Sequence, residues 1–387
     1  MKWVLPAGID EMLPVEAASL ENARRQMLDM FSTWGYELVV PPLVEYLDSL
    51  NIGNGSDLSR HIFKFVDHQD GRSLGIRADM TTQVARIDAK RLQNDGVNRL
   101  CYAGPVLLTR ARELGGSRGP YQIGAEIYGH DGIDSDLEIM QLMLSVLKTA
   151  GQEEVFLDLG HVGVFRGLVQ QANLDADTET ALFDALQRKA KPEITELVAA
   201  ISDQKTAAQL AALSDLNGDE ACLEAASEIM AGASEQVLKS LDELKTIATR
   251  LKQRIPGVNF HFDLAELRGY RYHTGFVFAA YISGFWQAIA QGGRYNEIGA
   301  AFGRSRPATG FSLDLRELIF RSPANSVAPS AILAPVADDD SLSQKVSELR
   351  QQGERVIQLL PGEETTKASC DRQLVNQGGQ WVVEKVG

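Results

Sequence analysis

Cysteine is scarce in this chain of 387 residues, which has only Cys101, Cys222 and Cys370 and no Cys-x-x-Cys or Cys/His spacing. Neither a disulfide framework nor a zinc site is therefore expected, and a reducing compartment fits best. Only 13 residues are proline, and no run of about 18 apolar residues occurs, which excludes a disordered chain and a membrane-spanning helix. The N-terminal segment turns polar too early for a signal peptide. We expect a cytoplasmic protein with no membrane partner, no metal and no cofactor.

Basic residues are outnumbered: 38 Lys plus Arg stand against 52 Asp plus Glu, so that the formal net charge is −14. Such a chain repels nucleic acid unless a local basic patch overrides the overall field. The hydrophobic fraction of 44% is sufficient for a sizeable core, and the length fits two to three domains of about 100–200 residues. A single small binding module is excluded.

Hydrophobic periodicity predicts the first elements. Apolar residues recur at helical spacing from Pro14 to Trp34, and a strand-like run at 36–40 ends at two prolines. Residues 98–109 and 121–128 predict a long antiparallel hairpin. The capping-box spacing of Ser135 and Glu138 predicts the start of another helix.

Composition changes at about residue 171, after which Ala, Leu, Glu, Lys and Gln dominate and aromatic residues nearly vanish. This change predicts an inserted set of helices rather than more sheet. Strand signals return after the insertion. We expect a core at 1–170 plus 256–322, a helical insertion at 171–255, and a small C-terminal α/β domain at 323–387.

Two polar segments have side chains that could bind a ligand. In an Arg-Ala-Asp-Met-Thr-Thr segment, Asp79 and Thr81 would share one face of an extended chain and could hold an ammonium group. The alternative is that they cap a helix. Gln122 and Glu126 share one face of a strand, and Gly124 between them would leave room for a ligand.

Two further segments combine glycine with arginine. Arg268-Gly-Tyr-Arg-Tyr-His-Thr-Gly275 brings a fixed cation close to Tyr272 and His273, a combination that could bind a carboxylate and a polar ring. A structural ion pair of Arg268 is the alternative. In Gln291-Gly-Gly-Arg-Tyr-Asn296, the paired glycines could let the backbone approach a ligand, or could simply form a turn.

In order and spacing, these segments resemble the catalytic core of histidyl-tRNA synthetase, a class II aminoacyl-tRNA synthetase, up to about Phe320. Pro42 with Glu45 is similar to the end of motif 1, which forms the dimer interface in that family. The Arg-Ala-Asp-Met-Thr segment is similar to its ammonium-binding Arg-Pro-Glu-Gly-Thr, and Gln122 and Glu126 fall on its histidine-contacting Gln and Glu. The resemblance implies an α+β fold: an antiparallel sheet flanked by helices, with a helical insertion and a small C-terminal α/β unit.

The remaining segments complete the resemblance to a histidine pocket. Arg268-Gly-Tyr-Arg-Tyr-His is similar to the family's Arg-Gly-Leu-Asp-Tyr-Tyr, with His273 in place of a tyrosine, and Gln291-Gly-Gly-Arg-Tyr contains its Gly-Gly-Arg-Tyr. The resemblance implies a site for free L-histidine formed by Asp79, Thr81, Gln122, Glu126, Arg268, Tyr272 and His273.

The residues that hold ATP in that family are replaced. Counting without a gap from Gly104 along the family's Gly-Pro-x-Phe-Arg-x-Glu puts Leu108 at the Arg and Arg110 at the Glu, whereas a two-residue slip would put Arg110 at the Arg. In motif 3, Glu317 stands at the family's final Arg, and Asp314 stands at a glycine. Each lost hydrogen bond to a charged group costs about 1.5–3 kcal/mol, so we expect aminoacylation to be lost and no catalytic residue to be present.

A histidine pocket that lacks an ATP clamp, followed by a short C-terminal unit, resembles a second family: the regulatory subunit of ATP phosphoribosyltransferase. The resemblance implies a noncatalytic chain that assembles with a short-form catalytic subunit at the first step of histidine biosynthesis. Free histidine would then inhibit the complex. It also implies self-association through a class II-type dimer interface and no tRNA partner.

Two alternatives are left open by the sequence. The first is a histidine-activating enzyme, either a truncated synthetase or a ligase that needs no tRNA, which would exchange pyrophosphate into ATP in the presence of histidine. The second is a relative that has lost its ligand and only binds another protein, which would not bind histidine.

Overall fold

The computed structural model describes residues 3–52, 59–111, 116–267, 269, 270, 272–321, 331–363 and 370–386. Its strands are β1 (Glu37–Leu38), β2 (Val44–Tyr46), β3 (Phe63–Val66), β4 (Ser73–Ile76), β5 (Asn98–Pro105), β6 (Tyr121–Tyr128), β7 (Val155–His161), β8 (Asn217–Gly218), β9 (Asn259–Asp263), β10 (Phe276–Ile282), β11 (Ala290–Arg294), β12 (Ala308–Asp314), β13 (Ile332–Ala334), β14 (Val356–Gln358), β15 (Arg372–Gln377) and β16 (Gln380–Lys385). Its helices are α1 (Pro14–Thr33), α2 (Leu47–Asn51), α3 (Thr81–Ile87), α4 (Ile133–Thr149), α5 (Val162–Ala172), α6 (Ala176–Gln187), α7 (Lys191–Ala199), α8 (Gln204–Ala212), α9 (Ala221–Ile229), α10 (Glu235–Arg254), α11 (Leu315–Phe320) and α12 (Asp340–Gln351).

The chain forms two compact units, one of residues 1–12 and 20–323 and one of residues 13–19 and 324–387. The helices of the expected insertion are part of the first unit. The expected division of the chain into a core, an insertion and a C-terminal domain stays a prediction. Within the described ranges, no helix has both the length and the apolar content needed to cross a membrane.

The main sheet of the first unit has the strand order β1-β5-β6-β12-β11-β10-β7-β9-β8. The β1–β5 and β7–β9 pairs are parallel and the remaining pairs are antiparallel, so the sheet is mixed rather than purely antiparallel as expected. A separate three-stranded sheet has the order β2-β4-β3.

The two faces of the main sheet have different roles. On β6, Ile123 and Ala125 join the large core, which also contains Met27 and Phe31 of α1 and much of α4. Because successive side chains of a strand point to opposite faces, Glu126 lies on the other face. The predicted first helix is confirmed, and its apolar face covers the core side of the sheet.

The predicted hairpin of β5 and β6 is confirmed, with antiparallel pairing from Asn98–Tyr128 to Pro105–Tyr121. The predicted capping box is wrong: α4 begins at Ile133, with Gly132 as its N-cap. Glu138 is not available for capping because it is paired with Arg99. The strand expected at 36–40 is reduced to the two residues of β1.

The expected insertion is helical except at β8, where Asn217–Gly218 pairs with β9 and adds a strand to the sheet. Two residues are too few to show a periodicity, so the sequence does not predict this strand. Gly218 adopts a φ of +141° that other residues rarely reach.

The second unit contains a four-stranded sheet of order β14-β13-β15-β16, with α12 packed on it. Its apolar core joins Ile332, Leu342, Val346, Val356 and Leu374. It is a small α/β arrangement of the type expected from the sequence, although no strand was predicted at β15.

Candidate functional site

The carboxyl group of Glu126 is the centre of a buried hydrogen-bond network. Glu126 is only 1% exposed to solvent. The hydroxyl of Tyr102 donates to Oε1 at 2.9 Å, and the hydroxyl of Tyr295 donates to Oε2. On the neighbouring strand, a Cβ at Gly310 would lie 1.5 Å from Oε2, so only glycine leaves room for this carboxyl group. Burial raises the pKa of Glu126 well above its ordinary value. The hydrogen bond from Tyr102 lowers this pKa, whereas the negative charge of Asp79 raises it further.

Asp79, Thr81 and Gln122 form the second part of the same network. Gln122 Nε2 donates to Asp79 Oδ2 at 2.7 Å, and the Thr81 amide donates to Asp79 Oδ1 at 2.7 Å. Gln122 Oε1 accepts the amide hydrogen of Met80. Asp79 therefore accepts the first N–H of α3 and also lies in the cluster, although the N-cap residue of this helix is Met80. The Thr81 and Tyr102 hydroxyls, 3.1 Å apart, connect the two parts.

The expectation that Gly124 leaves room for a ligand is wrong. A Cβ at this position would lie 2.5 Å from the Tyr102 hydroxyl and 2.5 Å from the Phe311 carbonyl oxygen. The space over this glycine is filled by Tyr102, which lies opposite it on β5. Gly124 thus allows the network to form rather than a ligand to enter.

Tyr272 and His273 bring unsatisfied polar atoms to this region. The Tyr272 ring is 4.9 Å from the Tyr295 ring, and the His273 ring is 5.2 Å from the Tyr272 ring, centre to centre. Tyr272 Oη and His273 Nδ1 are buried and have no hydrogen-bond partner among the described residues. Burial lowers the pKa of His273 to about 4, so its imidazole is neutral at neutral pH.

The paired glycines lie inside β11, not in a turn. A Cβ at Gly292 would lie 2.1 Å from the Gly310 carbonyl oxygen, and one at Gly293 would lie 2.7 Å from His273 Nδ1. Arg294, which follows them, donates two hydrogen bonds to the buried carboxylate of Asp136 at 3.0 and 2.8 Å. Arg294 therefore links β11 to α4. The missing side chain of Gly293 lets the His273 ring approach the sheet.

Arg268 lies outside the described residues, so its expected contact with a ligand carboxylate stays a prediction. Four of the other six expected site residues belong to the hydrogen-bond network: Asp79, Thr81, Gln122 and Glu126. The remaining two, Tyr272 and His273, contact the ring of Tyr295. In the part of the chain that the structure describes, no group of three or more His, Cys, Asp or Glu residues is arranged to hold a metal ion.

Two tyrosines were missed by the sequence reasoning. Tyr295 is the last residue of the Gly-Gly-Arg-Tyr segment that the resemblance included, and its contact with Glu126 could have been suspected from that motif. Tyr102 had no such signal. Its role follows from the register of β5 and β6, which pairs it with Gly124.

The segment that resembles motif 2 extends the β5–β6 hairpin, and the choice between the ungapped count and the two-residue slip stays a prediction. Main-chain hydrogen bonds from Val106 to Pro120 and from Leu108 to Arg118 continue the register of the β5–β6 hairpin beyond Pro105. Leu108 is 1% exposed in a small apolar cluster, whereas Arg110 is exposed.

At motif 3, both replaced residues make contacts within the protein. Glu317 pairs with Arg321 on the surface of α11. Asp314 accepts the amide hydrogens of Tyr121 and Arg316 at 3.1 and 3.0 Å. Burial, opposed by these two hydrogen bonds, raises the pKa of Asp314 to about 6.

Chemically, the site offers a carboxyl group that favours its neutral form, several hydroxyl groups and a neutral imidazole. These groups suit the recognition of a small polar ring. Among the six expected site residues that the structure describes, none forms a nucleophile beside a base.

Comparison with known proteins gives the family. Residues 8–318 match the family described as histidyl-tRNA synthetase, and residues 329–384 match the one described as ATP phosphoribosyltransferase subunit HisZ C-terminal domain. Relatives from Pseudomonas syringae pv. syringae and Thioalkalivibrio sulfidiphilus are 52% and 51% identical, each over 99% of this chain and 98% of its own length. Both are named ATP phosphoribosyltransferase regulatory subunit. This chain belongs to that family. The names of these relatives do not favour the alternative of a histidine-activating enzyme.

Solved structures give the fold. A Bacillus halodurans protein described as an ATP phosphoribosyltransferase regulatory subunit/histidyl-tRNA synthetase is 25% identical, with a TM-score of 0.82 and 95% of each chain covered. A histidyl-tRNA synthetase from a Nostoc species is 18% identical, with a TM-score of 0.76 over 99% of this chain and 94% of its own, which shows the fold alone. The expected α+β fold of the class II synthetase type is confirmed.

Proposed function

We propose that this chain is the noncatalytic regulatory subunit of an ATP phosphoribosyltransferase, and that it binds free L-histidine in the site around Glu126. The partner would be a short-form catalytic subunit, and bound histidine would inhibit the complex. The proposal is supported by the names of relatives that align over nearly the whole chain and by the C-terminal domain match. The observation that carries the ligand assignment is the buried Glu126 network.

The imidazole ring of the ligand would be recognised by Glu126 and His273, with Tyr272 sharing this role. A protonated Glu126 has an O–H group that can donate to an unprotonated ring nitrogen, and a raised pKa favours that form. Tyr272 Oη and His273 Nδ1 have no partner among the described residues. Leaving a buried polar atom unsatisfied costs about 1–3 kcal/mol, so a ligand that satisfies them is stabilised.

The ammonium group of the ligand would lie beside Asp79, Thr81 and Gln122, and its carboxylate beside Arg268. Asp79 is one methylene shorter than the glutamate of the related synthetases, and both of its oxygens already accept hydrogen bonds from the protein. A carboxylate oxygen can accept more than one hydrogen bond, so the ammonium group would share it with Gln122 or Thr81.

We propose that aminoacylation is absent. Leu108 takes the place of the phosphate-clamping arginine of motif 2 and is buried among apolar side chains. Glu317 takes the place of the final arginine of motif 3 and is paired with Arg321. A carboxylate about 4 Å from a phosphate charge would add roughly 4 kcal/mol of repulsion at an effective dielectric constant near 20. Histidine-dependent exchange of pyrophosphate into ATP should be undetectable, and robust exchange would reject this part of the proposal.

Self-association through the segment around Glu45 is also proposed. Val40, Leu43 and Val44 are exposed there, at 81%, 45% and 37%, and clusters of exposed apolar side chains mark interaction sites. Glu45 itself is fixed by Arg86 and Gln83. A tRNA partner is not proposed, because the chain carries a net charge of −14. A cytoplasmic location stays a prediction from the sequence.

The test is phosphoribosyl transfer from phosphoribosyl pyrophosphate to ATP, measured with a short-form catalytic subunit from the same organism. We expect the rate to rise when this chain is added and to fall when histidine follows. An unchanged rate with a folded catalytic subunit would reject the regulatory function.

A further inference from the structure

A cavity lies on the face of the main sheet opposite Glu126. It has a volume of about 480 Å³ and is lined by Trp34, Gly35, Arg99, Asp134, Glu138, Gln141 and Arg254. On β5, Arg99 points toward α4, where it contacts Glu138, whereas its neighbour Leu100 packs in the cluster that contains Tyr102. Small-molecule sites usually have volumes of about 300–1,000 Å³, so this cavity is large enough for a metabolite and is separate from the candidate histidine site.

One wall of the cavity is fixed by the protein itself. Arg99 donates two hydrogen bonds to the Glu138 carboxylate at 2.7 and 2.8 Å, and Tyr36 donates a third to Glu138 Oε1 at 3.1 Å. A pair with two parallel hydrogen bonds is rigid and has no net charge. Arg99 and Glu138 therefore form a preformed polar surface rather than groups that exchange partners with a ligand.

The other wall carries an arginine that retains hydrogen-bonding capacity. Arg254 Nη1 donates to Gln141 Oε1 at 3.0 Å, but Arg254 Nη2 is 3.8 Å from Asp134 Oδ1, which is too long for a hydrogen bond. The Asp134 carboxylate is already bound by Arg250. The Arg254 side chain is 39% exposed, so its Nη2 hydrogens can reach a ligand.

The local charge favours an anion although the whole chain is acidic. Arg99, Arg250 and Arg254 contribute three positive charges, and Asp134 and Glu138 contribute two negative charges. The four charged lining residues balance one another, and Arg250, which binds Asp134 from outside the lining, leaves a local net charge of +1 in a chain of −14. A guanidinium group binds a carboxylate or phosphate with two matched hydrogen bonds.

Trp34 supplies the apolar surface of the cavity. It packs against the large core and also lines the cavity. A flat ring can stack on an indole, and aromatic pairs of this kind are favourable beyond the area that they bury. A planar ring and an anionic group in one molecule would therefore contact both Trp34 and Arg254.

We propose that this cavity binds a small aromatic anion, whose carboxylate or phosphate pairs with Arg254 and whose ring packs against Trp34. This site is independent of the proposed histidine site, since its residues lie on the other face of the sheet. Its ligand would be a metabolite that joins a heteroaromatic ring to a single anionic group.

The proposal is tested by calorimetric titration of the full chain with two anionic probes, pyridine-3-carboxylate and adenosine 5′-monophosphate. Their neutral counterparts, pyridine-3-carboxamide and adenosine, serve as ligand controls. We expect at least one anionic probe to bind, and its counterpart to bind about tenfold more weakly or not at all, because a hydrogen bond to a charged group is lost. The probe that binds tells which of the two combinations of ring and anion the site accepts.

Protein variants locate the binding. Arg254→Gln and Trp34→Leu should each weaken binding of the anionic probe by about tenfold or more. Arg188→Gln removes an exposed arginine outside the cavity, and Glu126→Gln alters only the proposed histidine site, so both should bind the probe as the natural chain does. Thermal unfolding of each variant verifies that it is folded. The proposal is overturned if neither probe binds below about 10 mM, if the neutral counterparts bind equally well, or if a folded Arg254→Gln chain binds unchanged.

Discussion

The hydroxyl of Tyr102 lies 2.9 Å from Glu126 Oε1 and 3.1 Å from Thr81 Oγ1. Through this one hydroxyl, the carboxyl group proposed to recognise the imidazole ring is connected to the groups proposed to hold the ammonium group. Tyr102 is fully buried, so its hydroxyl makes these contacts away from bulk solvent. The two halves of the candidate site are thus positioned by a residue that no motif indicated.

Tyr102→Phe should lower both the stability of the chain and its affinity for histidine. It leaves Glu126 and Thr81 without a shared partner in a buried place, which costs about 1–3 kcal/mol of unfolding free energy. Urea unfolding and calorimetric titration measure the two effects. Tyr46→Phe is a matched control, since its hydroxyl bonds to Asp70 at the exposed surface, and it should change neither quantity appreciably. Equal effects of the two variants would contradict the assigned role.

Gly124→Ala should disturb the same network by crowding it. The added methyl group would lie 2.5 Å from both the Tyr102 hydroxyl and the Phe311 carbonyl oxygen, and overpacking of a buried site typically costs about 1–3 kcal/mol. At Gly119, by contrast, the nearest atom to an added Cβ is 3.9 Å away. Gly119→Ala should therefore unfold at nearly the same urea concentration as the natural chain, and Gly124→Ala at a clearly lower one.

Arg294→Met should be among the more damaging single substitutions in the first unit. It leaves the Asp136 carboxylate, which is 1% exposed, without its charged partner, and breaking a buried pair costs about 3–5 kcal/mol. The control is Arg188→Met, which breaks a solvent-exposed pair with Glu193 and should leave the unfolding free energy nearly unchanged. Chemical unfolding distinguishes these outcomes, and a loss below about 1 kcal/mol for Arg294→Met would contradict the structure.

Asp314 should make stability depend on pH. Its pKa is raised from 3.8 to about 6 by burial, so the folded chain holds this proton more tightly than the unfolded chain. The corresponding stabilisation is fully present below pH 3.8 and is lost as the pH rises through about 6. Relative to Asp314→Asn, the natural chain should therefore lose stability between about pH 4.5 and about pH 7, because this interval includes the raised pKa of Asp314. A difference in unfolding free energy that stays constant over this interval would contradict the assignment.

Much of the first unit could be predicted from local patterns. The helix that begins at Pro14 and the hairpin of β5 and β6 follow from periodicity, because their core-facing residues recur at the spacing of their secondary structure. Asp79, Gln122 and Glu126 were named from local patterns and lie in one network: Gln122 and Glu126 share a face of β6, and Asp79 precedes α3.

Other features depend on contacts between distant segments, which one sequence does not indicate. The expected capping box failed because Glu138 pairs with Arg99, a residue 39 positions away. Tyr102 reaches Glu126 only because β5 and β6 pair in a particular register, and the two-residue β8 forms only because β9 lies beside it. Tertiary contacts of this kind override local preference.

The central claim is that Glu126 belongs to a site for free histidine, and calorimetric titration of the full chain with L-histidine tests it most directly. The natural chain should bind histidine, Arg188→Gln should bind it equally well, and Glu126→Gln should bind it about tenfold more weakly or not at all. Histidine binding that is absent in the folded natural chain, or that is unchanged in a folded Glu126→Gln chain, would contradict the account.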